Sequence, residues 1–224
     1  MSLIGSSLGQ IYFQRGAEEY RKGTLNHLLE DVTEMLLILS IVPLALLLTM
    51  GGSMFGVVFG SQWTEAGVYC QILAVWAFVW FLISTTGNTT FSIVEKQELN
   101  MRFAIINLIA RLAALIVGGL LGSIYIALCL FALAGLITYS YCIYLAFRET
   151  KSSFIHVIRN SKMSILFTLI MIGITSVLNY IFHLHGIILI LLAVGICAVY
   201  YLVLYRKNSV LSRYFSIPLL NKIR

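Results

Sequence analysis

The sequence has few charged residues for its length. Only 11% of its 224 residues are charged, whereas about 25% is usual in a soluble domain. Hydrophobic residues make up 60% of the chain, and a soluble fold of this size could not bury so much apolar surface. The shortage of charge therefore excludes an ordinary soluble globular domain and indicates a protein embedded in a lipid bilayer.

Motifs that carry enzyme or metal chemistry are also missing. The sequence has no GxSxG, HExxH, P-loop or paired-carboxylate motif. His183 and His185 have no third ligand near them in the sequence. The four cysteines lie inside apolar runs without metal-ligand spacing: Cys70, Cys129, Cys142 and Cys197. We therefore predict no enzyme activity, no catalytic residues, no metal site and no cofactor.

The N-terminal segment lacks the basic region of a secretory signal peptide, because its first fourteen residues contain no Lys or Arg. Residues 3–13 form an apolar stub that is too short to cross a bilayer. A polar stretch follows it. Residues 1–31 are therefore predicted to form a cytoplasmic or interfacial segment.

Long apolar runs predict an all-α membrane protein with six transmembrane helices. A spanning helix needs about 20 mainly apolar residues. The predicted spans are 32–52, 68–92, 102–121, 124–147, 163–182 and 186–205. Because the runs are apolar on every side instead of alternating, helices are favoured over the strands of a barrel. The six helices form one domain, 32–205, and a basic tail, 206–224, follows it.

Basic residues occupy alternate loops and predict the topology. The N-terminal segment, the second and fourth connections and the tail hold fourteen Lys and Arg residues, whereas 53–67, 122–123 and 183–185 hold none. Short loops rich in Lys and Arg stay in the cytoplasm. Both termini are therefore predicted to be cytoplasmic, in a multi-pass protein of the cytoplasmic (inner) membrane. The net charge of +6 is explained by topology, so no nucleic-acid partner is predicted.

Arg111 is the single charged residue in the stretch 103–147, which contains the third and fourth predicted spans apart from Arg102 at the boundary. A charge near the bilayer centre costs roughly 2.5–3.5 kcal/mol on insertion scales and usually faces a bundle interior or a water-filled cavity. Small and polar residues surround it at helical spacing: Asn100, Ala104, Asn107, Gly118 and Gly122. A guanidinium in a cavity can hold a phosphate group. The alternative is an arginine that packs against helix carbonyls or another helix.

The polar run STTGNTTFS at 84–92 lies inside the second predicted span. Asn88 and Thr89 are candidates for a cavity wall that contacts sugar hydroxyls. An interhelical hydrogen-bond patch explains the run equally well. Pro43 lies in the middle of the first span and should kink it. The kink is either a hinge for alternating access or a packing feature, and packing is favoured.

The order of several phrases resembles the polysaccharide transporter or O-antigen flippase family, within the multidrug/oligosaccharidyl-lipid/polysaccharide exporter superfamily. The phrases are SLGQIYF, QRGAEEYRKG, MFGVVFGSQWTEAGVYCQILAVW and EKQELNMRFAIINLIARL, and the resemblance covers about residues 3–147. It implies a flippase for lipid-diphosphate-linked oligosaccharides, in polysaccharide or lipopolysaccharide biosynthesis. Arg111 would then attract the diphosphate, and Asn107, Asn88 and Thr89 would contact its polar parts.

The resemblance also implies further contacts and a departure from the family. Lys96 and Arg102 would draw in the anionic head group from the cytoplasmic side. Members usually have twelve to fourteen spans in two lobes, whereas six are predicted here, which resemble the C-terminal part. The expected partners are the lipid-linked substrate, membrane lipids and a separate N-terminal lobe. The alternative is a truncated remnant that does not transport, or an assembly partner of that lobe.

Overall fold

The computed structural model describes residues 2–84, 86–182 and 186–207, and the regular elements in these ranges are all helices. The α-helices are α1 Ser2–Lys22, α2 Leu25–Phe59, α3 Thr64–Ser84, α4 Gly87–Ile93, α5 Gln97–Leu120, α6 Ile124–Thr150, α7 Phe154–Asn160, α8 Lys162–Phe182 and α9 Gly186–Lys207. A single 3-10 turn, Ser61–Trp63, joins α2 to α3. The prediction of an all-α fold is confirmed for these residues.

Four helical segments in the described part of the chain are long and apolar enough to cross a membrane. They are α2, the joined segment Ser61–Ile93 that contains α3 and α4, α5 and α6. The pair α7 and α8 counts as a fifth if its 61° bend is included in one span. The structure therefore bears out a membrane helix bundle, while the count of six spans is not confirmed.

Helix boundaries differ from the predicted spans most clearly in α2, which extends beyond 32–52 at both ends. The N-terminal extension contains Glu30 and Asp31, directly before the predicted start of the span at 32. Its other face carries Leu25 and Leu29, which are buried, so the extension is an amphipathic helix end. The second predicted span corresponds to α3, which ends at Ser84, together with α4, which begins at Gly87.

Small residues allow neighbouring helices to approach closely. A Cβ atom at Gly67 of α3 would lie 2.4 Å from the Gly51 carbonyl oxygen of α2. A Cβ atom at Gly118 of α5 would lie 2.3 Å from the Ala127 Cα atom of α6. The predicted turn at 118–123 is present, and Gly122 has φ 66° there, a conformation that glycine adopts without strain. Glycine therefore determines both antiparallel hairpins.

The interior has two apolar clusters. The larger one joins α2, α4 and α6 near the 94–96 and 151–153 turns, and it includes Leu29, Phe91 and Ala146, each of them fully buried. The smaller cluster surrounds Val42 and Met50 of α2 and includes Tyr200 of α9. Because α2 contributes to both clusters, this long helix is the central element of the bundle.

Candidate functional site

Arg111 lies on α5 and is surrounded by aromatic rings from α3 and α6. The carbon at the centre of its guanidinium lies 4.2 Å from the ring centroid of Trp76 and 4.3 Å from that of Phe131. Tyr139 contributes a third ring, at 5.6 Å. We call Arg111, Trp76, Phe131 and Tyr139 the aromatic cage. Cations over aromatic faces are stabilised by the ring quadrupole, most strongly where water is excluded.

Asn107 orients the arginine from one turn earlier on α5. The Arg111 Nε atom donates a hydrogen bond to the Asn107 side-chain oxygen at 3.1 Å. The Thr138 hydroxyl oxygen of α6 lies 2.9 Å from the same oxygen and 2.9 Å from the Ala134 carbonyl oxygen, so its single proton is shared between these two acceptors. Asn107 thus links Arg111 to α6, which limits the positions that the guanidinium can adopt. The predicted pairing of Asn107 and Arg111 on one helix face is present.

A glycine on α6 provides the space for the cage. A Cβ atom at Gly135 would lie 3.0 Å from the Arg111 Nη2 atom and 3.3 Å from the Trp76 ring. Phe131, Gly135 and Tyr139 are four residues apart, so they share one face of α6. The two rings flank the gap that Gly135 leaves, and the guanidinium fills it.

Two nitrogen atoms in the cage have no hydrogen-bond acceptor. Arg111 Nη2 and Trp76 Nε1 are both buried and unpartnered. Among the residues that the structure describes, no carboxylate forms an ion pair with Arg111. An unpaired buried donor costs about 1–3 kcal/mol, and more if it is charged. The arrangement can therefore bind a group that brings oxygen acceptors from outside the chain.

Asn88 and Thr89 lie on α4, whereas the residues around Arg111 come from α3, α5 and α6. Asn88 is exposed, and its backbone carbonyl accepts a hydrogen bond from the Ser92 hydroxyl at 3.1 Å. The buried hydroxyls of Thr90 and Tyr12 are 2.8 Å apart and join α4 to α1. This contact favours the interhelical hydrogen-bond interpretation of the polar run over a cavity wall.

Lys96 and Arg102 both have acidic partners from the chain itself. The Lys96 ammonium forms an ion pair with the Glu149 carboxylate, which joins the start of α5 to the end of α6. Arg102 lies 3.7 Å from Glu98 on the exposed surface of α5. Exposed pairs of this second kind contribute little to stability. Neither cation is brought into the aromatic cage.

Pro43 lies inside α2, and the helix continues past it. Proline has no N–H, so the Leu39 carbonyl loses its usual donor. The Tyr201 hydroxyl of α9 donates to this carbonyl at 2.7 Å, and Tyr200 donates to the Ile38 carbonyl at 2.9 Å. The proline therefore marks the place where α9 docks on α2. Its role as a hinge stays a prediction.

The sequence did not single out the cage aromatics as partners of Arg111. Two signals were available. The first is the spacing of four in Phe131, Gly135 and Tyr139 on an otherwise apolar helix. The second is Trp76, which lies in the predicted span directly before the span that contains Arg111. An intramembrane cation without an acid needs other partners, and aromatic faces provide them.

Comparisons with known proteins do not assign a family. No family model, no curated protein and no solved structure matches the chain. Within the described residues, no group of three or more His, Cys, Asp or Glu residues could hold a metal ion. The function must therefore be argued from the Arg111 site and from the order of the sequence phrases.

Proposed function

We propose that the chain is the C-terminal part of a flippase that moves a lipid-diphosphate-linked oligosaccharide across the cytoplasmic membrane. The substrate would be a repeat unit of O-antigen or of another polysaccharide. The observation that carries the proposal is the pair of buried, unpartnered donors, Arg111 Nη2 and Trp76 Nε1. Neither donor has a hydrogen-bond acceptor from the described residues. A diphosphate would bring several acceptor oxygens and a negative charge opposite the guanidinium.

The geometry around Arg111 favours an anion over a neutral ligand. The guanidinium remains charged at every physiological pH. Its Nε atom is already bound to Asn107, so the two terminal nitrogens, of which Nη2 is buried and unpartnered, are the donors left for a substrate. Three aromatic rings surround the guanidinium and its Nη2 atom is buried, and electrostatic attraction strengthens where water is excluded. The cage would hold the cation ready for a phosphate group.

The other predicted substrate contacts, outside the aromatic cage, contribute less to this proposal. Asn88 is exposed on α4 and is available to sugar hydroxyls, with Thr89 beside it. Lys96 and Arg102 would attract the head group only by exchanging their acidic partners for phosphate. The proposal therefore depends on Arg111, and loss of the two surface cations should weaken substrate binding much less.

Binding of a polyprenyl diphosphate tests the proposal. The purified chain in lipid nanodiscs would be titrated with polyprenyl diphosphate and, as the uncharged comparison, with polyprenol. We expect Arg111→Gln to weaken diphosphate binding by roughly tenfold or more, because it removes a charged hydrogen bond. Trp76→Phe keeps the ring and removes only the N–H donor, so its expected loss is a few-fold.

Lys162→Gln is the control, because it removes an exposed cation at the start of α8, outside the cage and outside the predicted substrate contacts. Its binding should stay within about twofold of the wild type, because salt screens a single exposed charge. Equal binding by wild type and Arg111→Gln, in variants with unchanged thermal unfolding, would refute the role of Arg111. Equal affinity for polyprenol would refute recognition of the diphosphate.

A second candidate function is assembly with a separate N-terminal lobe, without transport by this chain alone. The observation that favours it is the outward face of α5, where Ile109 is 62% exposed and Leu120 is 83% exposed. Either lipid or a second lobe can cover this face. Reconstituted vesicles distinguish the two functions: translocation of a fluorescent lipid-linked oligosaccharide by this chain alone would exclude the assembly-only role.

A further inference from the structure

A cavity distinct from the aromatic cage lies between α2, α3 and α6, with α7 and α8 at its side. It has a volume of about 710 Å³, within the usual range of small-molecule sites. Its walls are chiefly aliphatic and aromatic and include Leu37, Phe78, Leu82, Phe147 and Ile165. None of the four cage residues lines it. We call this cavity the apolar groove.

Ser140 and Tyr144 place hydroxyl groups along the groove, but among the described residues that line it the one charged side chain lies at an end. Arg148, in the last turn of α6, and Ser152, in the turn that follows, lie at one end. From Ser140 to Arg148, the groove follows α6 for about 12 Å at roughly 1.5 Å per residue. The groove thus combines a long apolar channel with a cation at its end.

Arg148 has no acidic partner among the residues that the structure describes. Its neighbour Glu149 is bound to Lys96. Lys22 and Arg102 likewise have carboxylates from the chain, Glu19 and Glu98. Arg148 therefore differs from these cations, because it lines an apolar cavity and its charge is not balanced by an ion pair.

Helix α7 covers the same end of the groove with an amphipathic surface. Phe154 and Ile158 line the groove, whereas His156 and Arg159 are exposed. The helix is bent by 61° relative to α8, so it does not continue the direction of that span. A short amphipathic helix of this kind fits the boundary between head groups and acyl chains.

We propose that the apolar groove binds an anionic phospholipid, with one acyl chain along α6 and the phosphate on Arg148. An acyl chain matches the apolar walls, and an anionic head group would supply the negatively charged partner that Arg148 lacks among the described residues. Basic pockets between transmembrane helices on the cytoplasmic side are suited to anionic head groups. The bound lipid would hold α7 against α3 and α6. This proposal does not depend on the transport function.

Native mass spectrometry of the full chain tests the proposal, with phosphatidylglycerol as the anionic probe and phosphatidylethanolamine as the zwitterionic one. We expect the wild type to retain phosphatidylglycerol at least fivefold more than phosphatidylethanolamine. Arg148→Gln should abolish this preference. Ser140→Phe, a substitution at an exposed position of the groove wall, should reduce retention of both lipids.

Arg159→Gln is the control, because Arg159 is an exposed cation that does not line the groove. It should keep the preference of the wild type. A preference that survives Arg148→Gln, or one that Arg159→Gln reduces equally, would overturn the proposal in favour of unspecific attraction to the basic surface. Retention unchanged by Ser140→Phe would also overturn it. Each variant's thermal unfolding is measured beforehand, and Arg148→Met, which also removes the charge, replaces Arg148→Gln if that variant does not fold.

Discussion

At the scale of single residues, the membrane-embedded cation is stabilised without an acid. Three rings and one amide oxygen surround the Arg111 guanidinium. Each close cation–ring contact contributes about 0.5–2 kcal/mol, depending on how far water is excluded. A lysine would keep the charge, but it could not present a planar group to the rings and donate to Asn107 at the same time.

A double-mutant cycle between Trp76 and Arg111 measures this contact. We expect Trp76→Leu to lower the free energy of unfolding by about 0.5–2 kcal/mol more in the wild type than in Arg111→Met. Denaturant titration in micelles gives the four free energies. Val75→Leu, on the exposed side of α3, is the control and should show no coupling. A coupling near zero for Trp76 would contradict a cation–ring contact.

Pro43 and Tyr201 give a second prediction at this scale. Tyr201→Phe removes the donor to the Leu39 carbonyl and should lower stability by about 0.5–1.5 kcal/mol. In Pro43→Ala the restored N–H occupies that carbonyl, so the effect of Tyr201→Phe should become smaller. Thermal unfolding of the four proteins measures the difference.

Tyr200→Phe is the matched control for this pair. Tyr200 donates to the Ile38 carbonyl, whose helical donor would be the Val42 N–H, and that donor is present with or without the proline. Its effect should therefore be the same in both backgrounds. An effect of Tyr201→Phe that does not change with Pro43→Ala would show that the hydroxyl does not compensate for the missing N–H.

At the scale of helices, close packing at glycine determines the hairpins. α5 and α6 meet where Gly118 faces Ala127, and α2 and α3 meet where Gly67 faces Gly51. In a bilayer, small residues let helices associate through van der Waals contact, since lipid removes most of the hydrophobic driving force. These contacts help to position α3 and α6 around Arg111. The aromatic cage therefore depends on them.

Gly118→Leu is expected to separate α5 from α6. The new Cβ atom would lie 2.3 Å from backbone atoms of Ala127, and overpacking of this kind costs typically about 1–3 kcal/mol. Gly119→Leu is the matched control on the next residue, because open space surrounds it. Thermal unfolding in detergent should show a large loss for the first variant only. Equal losses would indicate that helix propensity, not packing, explains the effect.

At the scale of the whole molecule, contacts at the two ends of the bundle are consistent with the charge pattern. Lys96 and Glu149 join the second and fourth connections, and the Ser153 amide donates to Glu30 near the start of α2 at 2.6 Å. At the opposite end, the Tyr69 and Tyr125 hydroxyls both donate to Glu65. The connections that carry basic residues therefore share one side of the bundle.

Topology reporters test which side faces the cytoplasm. A periplasmic phosphatase fused after Gly60 should be active, because the connection at 53–67 has no basic residue. Fusions after Lys151 and at the C-terminus should be inactive. A cytoplasmic reporter at the same three positions should give the opposite pattern. Phosphatase activity after Lys151 would reverse the predicted orientation.

Much of the fold was predictable because a bilayer imposes strong rules on composition. The all-α class, the turn at 118–123 and the shared helix face of Asn107 and Arg111 were readable from hydropathy and spacing. The N-terminal part of α2 was not predictable in this way, because the charged residues on one of its faces lower its mean hydropathy. Its other face is apolar and is buried against neighbouring helices.

The sequence by itself determined that the chain favours helices in lipid, which connections carry the basic residues, and that one cation lies inside a span. Only the tertiary structure decided what surrounds that cation. Trp76, Phe131 and Tyr139 are 35, 20 and 28 residues away from Arg111 in the chain, and helix packing alone brings them together. The tertiary structure also determined that Lys96 forms an ion pair and that Arg148 forms none with the described residues. Residue spacing in the sequence cannot show these pairs, because the partners lie on helices that are distant in the chain.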